Sequence, residues 1–222
     1  MNRQALGQGA ADLAWDSPLP KESDGRYGAR ALKRFVDVVA AICLLASSAP
    51  LCVLMALAIK LEDGGPILFR QTRVGRNGVL FTLRKLRSMR PDAEAENGPQ
   101  WATVTDLRVT RIGWWLRALR IDEIPQAWNV LIGEMSFVGP RPERPEFVAA
   151  LRKTIPHYDY RLNLRPGITG WAQVNQPYTA SVEHPAIKQE YDLYYLEHIS
   201  VWLDCLILLR TVKIILLGWG NR

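Results

Sequence analysis

Between Val38 and Ile59 the chain runs for twenty-two residues without a charged side chain, and no other feature constrains the fold as much. As a helix this run is roughly 33 Å long, enough to cross the hydrocarbon of a bilayer. Ala56-Leu57-Ala58 imitates a signal-peptidase site, but the run begins too far from the N-terminus and is too long for a signal segment, so cleavage is rejected. Pro50, preceded by Ser47-Ser48-Ala49, falls near the middle. A proline there removes a helical hydrogen bond and crowds the preceding turn, so a sharp bend is expected at Ser48–Pro50. Basic residues flank both ends, with Arg30, Lys33 and Arg34 before and Lys60, Arg70, Arg73 and Arg76 after. That symmetry gives no polarity for a span and suits a hairpin that returns to the face it left. Prolines also occur in true spans, and the residues alone leave both readings open. Asp37, at the foot of the run, is costly there unless paired, and Lys33 or Arg34 on the same helical face is the expected partner.

With this segment set aside, the rest of a 222-residue chain holds one globule of moderate size. Residues 1–28 carry Gly, Ala, Pro and charge with no helical or strand period and are expected to form a mobile polar tail. The expected organisation is that tail, a membrane segment over 29–62, and a membrane-associated domain over 63–222. A net charge of +6 calls for an anionic partner: nucleic acid, an acidic bilayer surface or a phosphorylated substrate. Eight tryptophans, several beside arginines (Trp114, Trp115, Trp128, Trp202, Trp219), favour the bilayer surface. Cys43, Cys52 and Cys205 lie in apolar runs without metal-ligand spacing and read as small buried hydrophobes. Three cysteines make no disulfide framework, which places the globular part in the cytosol.

Ile67 to Leu86 reads as two short strands about Gly75-Arg-Asn-Gly78, a β-hairpin. Residues 107–120 have the spacing of a helix with arginines off its apolar stripe, suited to anionic lipid and equally to a core beneath solvated arginines. Helices are expected over 126–132, 146–153, 185–197 and 199–217, with an irregular Pro-rich loop from Gly133 to Pro145. Asp204, Arg210 and Lys213 lie on more than one side of the last helix, so it is expected to pack on protein as well as face outward.

Asp122 and Glu123 precede Pro125, which puts both carboxylates at or near the start of a new helix. Such a pair can hold a hard divalent cation or supply a nucleophile, and Asp122 as a simple N-cap is the plain alternative. Lys85, Arg87, Arg117, Arg120, Arg141, Arg144 and Arg165 stand near glycine or proline turns, and Pro140-Arg141-Pro142 presents a guanidinium on rigid backbone. Guanidinium forks match phosphate oxygens. Together the cations and the acidic pair describe a diphosphate site with Mg2+ bridging substrate oxygens.

Seven motifs in order then resemble one family: Lys33-Arg34-Phe-Val-Asp37, the proline-broken segment, Phe81-Thr-Leu-Arg-Lys-Leu-Arg-Ser-Met89, Asp122-Glu-Ile-Pro-Gln126, Met135-Ser-Phe-Val-Gly-Pro-Arg-Pro142, Arg165-Pro-Gly-Ile-Thr-Gly-Trp-Ala-Gln-Val174 and Glu190-Tyr-Asp192. The family is that of the monotopic phosphoglycosyl transferases, or bacterial sugar transferases, and the resemblance covers residues 33–217. It implies transfer of a sugar 1-phosphate from a UDP-sugar to polyprenyl phosphate, with release of UMP, as the first step of a surface glycan. By that likeness Asp122 is the nucleophile and Glu123 the Mg2+ ligand. Arg141 contacts the nucleotide diphosphate, Lys85, Arg87 and Arg117 neutralise phosphates, and Asp192 is an orienting or metal-linked carboxylate. Asp37, Ser48 and Pro50 belong to a re-entrant membrane helix. Where many members have Asn-Gly-Arg, this chain has Asn175-Gln176-Pro177, and with Pro142-Glu-Arg-Pro-Glu-Phe-Val148 it resembles an exopolysaccharide-associated subgroup. Larger members carry spanning helices ahead of the catalytic part, so the likeness is to a minimal catalytic unit.

The expected fold is α+β, mainly helical, with a small β-hairpin, a re-entrant membrane helix and interfacial helices, on the cytoplasmic face of a bacterial inner membrane. Expected partners are a UDP-sugar, polyprenyl phosphate, anionic lipid and, with the oligomeric state open, a second copy in a homodimer; nucleic acid is not among them. Two rivals stand beside this reading: a metal-dependent diphosphate hydrolase, and a non-catalytic membrane-anchored protein that binds anions.

Overall fold

The computed structural model describes residues 25–95, 98, 106–176 and 185–217, with side chains from residue 31 onward. Helix α1, Gly25–Asp63, begins inside the expected tail, whose other residues lie outside the described ones. It carries the charge-free run, and Ala31–Asp63 is long and apolar enough to cross a membrane. Helical hydrogen bonding continues through Pro50, so the proline does not split the segment into two helices. The hydroxyls of Ser47 and Ser48 donate to the carbonyls of Cys43 and Leu44, four residues back, at 2.7 and 2.5 Å. Such back-bonding and a proline are both local causes of helix bending.

Buried and half-buried positions Asp37, Ala41, Leu44, Ser48, Cys52, Met55 and Ile59 recur every three or four residues along α1. Its two ends meet different parts of one body. Ala41, Leu44 and Leu45 join a cluster with Phe81, Leu83, Ala127, Val130 and Met135. Met55 and Ile59 join a second cluster with Leu86, Leu116, Ile112 and Ile121. Between them Leu51, Val53 and Leu54 stand exposed, as do Ile42 and Leu57 on the outer side of the two ends, so this face of the helix, its middle included, is left to another apolar medium. Polar ties fix both ends. Lys33 pairs with Asp204 at 2.6 Å, and Arg34 donates to the carbonyls of Val130 and Leu131. At the other end Asp63 pairs with Arg87, and Glu62 accepts from the amide of Arg111. The expected pairing of Asp37 with Lys33 or Arg34 is corrected here: both basic side chains reach tertiary partners, and Asp37 accepts the amide of Phe137 at 3.2 Å.

Strands β1 (Leu68–Val74) and β2 (Leu80–Leu86) form the expected antiparallel hairpin, with Leu68 opposite Leu86 and Val74 opposite Leu80. Its turn carries Asn77 at φ 56°. Helix α2 covers only Arg111–Ala118, shorter than the 107–120 read from periodicity. Thr110 caps it by accepting the amide of Gly113, while Val109 bridges to Met89. A Cβ on Gly113 would lie 2.0 Å from the Ser88 carbonyl oxygen, so the helix reaches this backbone only because residue 113 lacks a side chain.

Helix α3 is Gln126–Ile132, as expected. The stretch 133–145, read as irregular, contains strand β3, Ser136–Val138, parallel to β4, Gly167–Thr169. Helices α4 (Pro145–Thr154), α5 (Trp171–Asn175), α6 (Pro185–Glu197) and α7 (Val201–Leu217), with a 3₁₀ helix over Tyr158–Asn163, complete the described chain. Ile207 and Asp204 of α7 face inward, while Trp202, Leu209 and Leu216 of the same helix are well exposed. The fold is therefore α+β and mainly helical. Cys43 and Cys205 are exposed and Cys52 half-buried, all as thiols, which corrects their reading as buried hydrophobes: the apolar runs that carry them face outward.

Candidate active site

Helix α2 ends at Ala118 with Leu119 as its C-cap, and Arg120 adopts a left-handed conformation at φ 57°. This reversal is costly for a side chain other than glycine and is held by its surroundings. It turns the chain into a single 3₁₀ turn, Ile121–Glu123, whose Ile121 enters the cluster beneath α1 while Asp122 and Glu123 are buried. Pro125 then opens α3. The acidic pair thus sits in a separate tight turn before the helix, and neither carboxylate caps it.

One oxygen of Glu123, Oε1, gathers three cations. Lys85 Nζ lies at 3.2 Å, Arg141 Nη2 at 3.4 Å and Arg120 Nη1 at 3.6 Å. Strand β2 supplies Lys85, the reversed residue supplies Arg120, and the Pro-Arg-Pro loop supplies Arg141, so three elements meet at one carboxylate. These cations hold the Glu123 carboxyl far below the ordinary glutamate range despite its burial. Burial pushes Asp122 upward, opposed by Lys85, Arg120 and Arg117 and reinforced by the charge of Glu123. Lys85 is itself pushed down by burial against the pull of Glu123. Asp122 Oδ1 is buried with no hydrogen-bond partner among the described residues. Four cations around two carboxylates leave a surplus of positive charge, the condition for receiving an anion.

The expected site residues divide. Asp122, Glu123, Lys85, Arg120 and Arg141 come together, and Arg117 acts on Asp122 through space. Arg87 does not join them, because its guanidinium is taken by Asp63 and the Pro66 carbonyl and ties α1 to β2. Arg165 donates to the Gly133 carbonyl at 3.0 Å on the Arg34 side of the body. Asp192 is buried against Arg161 at 2.8 Å and reaches the site only through that residue. Arg161 and Asn129 were not expected at the site, and Arg73 was expected only as a basic flank of the membrane segment. Arg73 and Arg161 hold the Arg141 loop, and Asn129 fastens α3 to β2 through Thr82 and Arg84. Each lies within a regular element, Arg73 in β1, Asn129 in α3 and Arg161 in the 3₁₀ helix Tyr158–Asn163, and their partners are distant in sequence, so no local pattern points to them.

Among the described residues no group of three or more His, Cys, Asp or Glu is placed to hold a metal. The donor set still fits Mg2+ arriving with an anion, since the unpartnered Asp122 oxygen and Glu123 are hard ligands and phosphate oxygens can complete the shell.

A family described as bacterial sugar transferase matches residues 28–218. A UDP-N-acetylgalactosamine-undecaprenyl-phosphate N-acetylgalactosaminephosphotransferase of Aeromonas hydrophila is 47% identical over 191 residues, covering 86% of this chain and 45% of that protein. A UDP-glucose:undecaprenyl-phosphate glucose-1-phosphate transferase of Caulobacter vibrioides is 46% identical over 203 residues, 90% of this chain and 73% of its own. A protein of the same name from Escherichia coli is 42% identical, over 82% of this chain and 40% of its own. The chain spans less than half the length of the Aeromonas and Escherichia proteins. A match that runs from the foot of α1 to the end of α7 takes in the whole acidic turn and its cations, and the chain belongs to the bacterial sugar transferase family.

Proposed function

We propose that this protein transfers a sugar 1-phosphate from a UDP-sugar to polyprenyl phosphate and releases UMP, through a phosphosugar intermediate on Asp122, at the start of exopolysaccharide or other surface-glycan synthesis. The observation that carries this is Asp122 itself, a buried carboxylate with one oxygen unpartnered, beside a glutamate held by three cations. The names of the relatives supply the reaction class, and their different sugars leave the donor sugar open.

In this reading Arg141, Arg120 and Lys85 bind the diphosphate and offset its charge. Mg2+, which Glu123 would hold together with the substrate's own oxygens, would supply further neutralisation of the leaving phosphate. The Asp122 carboxylate attacks the phosphorus that bears the sugar. A carboxylate–phosphorus bond forms, the bond to the bridging oxygen breaks, and UMP leaves with that electron pair. A phosphate oxygen of the lipid then attacks the same phosphorus and Asp122 departs as a carboxylate. Exposed Trp114 and Trp115 beside Arg111 and Arg117, with the bare middle of α1, support a seat on anionic lipid at the cytoplasmic face of the bacterial inner membrane.

The test is UMP release from a panel led by UDP-glucose and UDP-N-acetylgalactosamine, with and without undecaprenyl phosphate. Sustained release only with lipid is expected, and mass spectrometry of enzyme trapped without lipid should place the adduct on the peptide containing Asp122. Accumulation of free sugar phosphate would identify the hydrolase instead. Salt-sensitive lipid binding without UMP release from any sugar would identify the anion-binding protein.

A further inference from the structure

The Arg141 loop is held in an unusual way. Four consecutive carbonyls, from Pro140 to Glu143, each accept a hydrogen bond, from three separate parts of the chain. Pro140 accepts the amide of Gly167 and Glu143 the amide of Val74, both at 2.9 Å. The two between them accept from guanidinium groups: Arg141 from Arg161 Nη2 at 2.9 Å and Pro142 from Arg73 Nη1 at 3.0 Å. Pro140 and Pro142 have no N–H to donate, so carbonyl contacts are the main route to fixing this backbone.

Arg161 is 4% exposed and its partner Asp192 is 2% exposed. Arg161 Nη1 donates to the Tyr158 hydroxyl at 2.7 Å. Its Nη2 lies 2.8 Å from Asp192 Oδ2, yet that oxygen has no aligned hydrogen bond, whereas the same nitrogen is aligned on the Arg141 carbonyl. The guanidinium is oriented for the carbonyl, and the carboxylate behind it supplies charge. A buried ion pair adds little net stability by itself, so a pair aimed at a loop calls for a role in that loop.

We infer that the buried Arg161–Asp192 pair is a positioning device that holds the main chain of Arg141 so that its guanidinium faces Glu123 and the substrate diphosphate. Asp192 then contributes to the reaction without touching substrate or metal. The kinetic part rests on the proposed function; the structural part does not.

Two measurements on the full chain test it. Hydrogen exchange reads the loop without substrate: Asp192→Asn should speed exchange in the peptide Gly139–Arg144 by about tenfold or more, with the β1–β2 hairpin unchanged. In UMP release, Asp192→Asn should lower kcat/KM by roughly tenfold or more, and in an Arg141→Ala background it should lower it no further. Where Asp192→Asn fails to fold, Tyr158→Phe, which removes only the hydroxyl that locates Arg161, takes its place with smaller effects in the same direction. Unchanged exchange at Gly139–Arg144 overturns the inference, as does an equal loss of kcat/KM with and without Arg141. A wild-type protein that releases no UMP, but whose loop loosens in Asp192→Asn, would defeat the proposed function and leave the positioning role standing.

Discussion

Asp122 and Glu123 are neighbours in sequence and in burial, yet the protein treats their charges in opposite ways. Glu123 receives the cations, so its folded-state pKa falls below its unfolded value, and its contribution to stability is present at neutral pH and lost as pH falls. Asp122 has its pKa raised by burial, so its charge opposes folding at neutral pH, and the stability withheld returns as pH falls. Asp122→Asn should therefore abolish UMP release and adduct formation while raising thermal stability, by about 0.5–2 kcal/mol in the usual range for relieving a strained site. Glu123→Gln should destabilise, by less than the roughly 3–5 kcal/mol of a fully buried pair because its partners are up to a third exposed, and should weaken Mg2+ dependence without moving the labelled residue. Melting curves of both variants beside wild type check the signs, and a less stable Asp122→Asn would contradict the account. The same shift fixes the pH profile. The nucleophile must be ionised, so activity should fall on the acid side as Asp122 takes up its proton, and activity that rises toward low pH would exclude Asp122 as the group responsible.

At the scale of elements, legibility followed the length of the pattern. The hairpin could be read because two seven-residue strands lie about a Gly-Arg-Asn-Gly turn, and α3, α4, α6 and α7 because each is a run of helix-compatible residues set off by proline, glycine or turn residues. Strands β3 and β4 could not, since three residues flanked by glycine and proline have no period to show. Helix α2 is shorter than its periodic stretch because the apolar pattern starts at Leu107, while the chain at Val109 bridges to Met89 and the helix begins only at Arg111. The acidic pair, Lys85, Arg120 and Arg141 could be picked out beside turns. Arg87 and Arg165 fit the same local rule but were claimed by Asp63 and by the Gly133 carbonyl, tertiary partners that spacing cannot reveal. The α2–Ser88 contact gives this scale its own prediction. Gly113→Ala would put a Cβ 2.0 Å from a backbone oxygen, with no flexible side chain to yield. Denaturation should show a loss of at least about 1–3 kcal/mol. Because α2 leads directly into the acidic turn, UMP release should fall as well. A neutral Gly113→Ala would mean that α2 does not lie on this backbone.

For the whole molecule the question is how a bare apolar helix and a charged body would share the proposed membrane seat. A straight span would carry one end of α1 to the far side of the bilayer. Here Lys33, Arg34 and Asp37 at one end and Glu62 and Asp63 at the other are all bonded to the same body. Spanning would break one set and strand its charges, at several kcal/mol in apolar surroundings. Pro50 and the two serine back-bonds lower the cost of bending instead. Single cysteines replacing exposed Leu32 and Leu61, in a chain cleared of its own three, should both resist an impermeant thiol reagent in intact cells and react after permeabilisation. Pro50→Ala restores the missing hydrogen bond and favours a straight helix, so a fraction of the Leu32→Cys sites should become reactive from outside. Adding Lys33→Ala and Arg34→Ala should enlarge that fraction, because the ties that hold the N-terminal end to α3 and α7 are then gone. Outside labelling of Leu32→Cys with Pro50 intact would restore a simple span and would mean that the contacts at the two ends of α1 are not made at the same time.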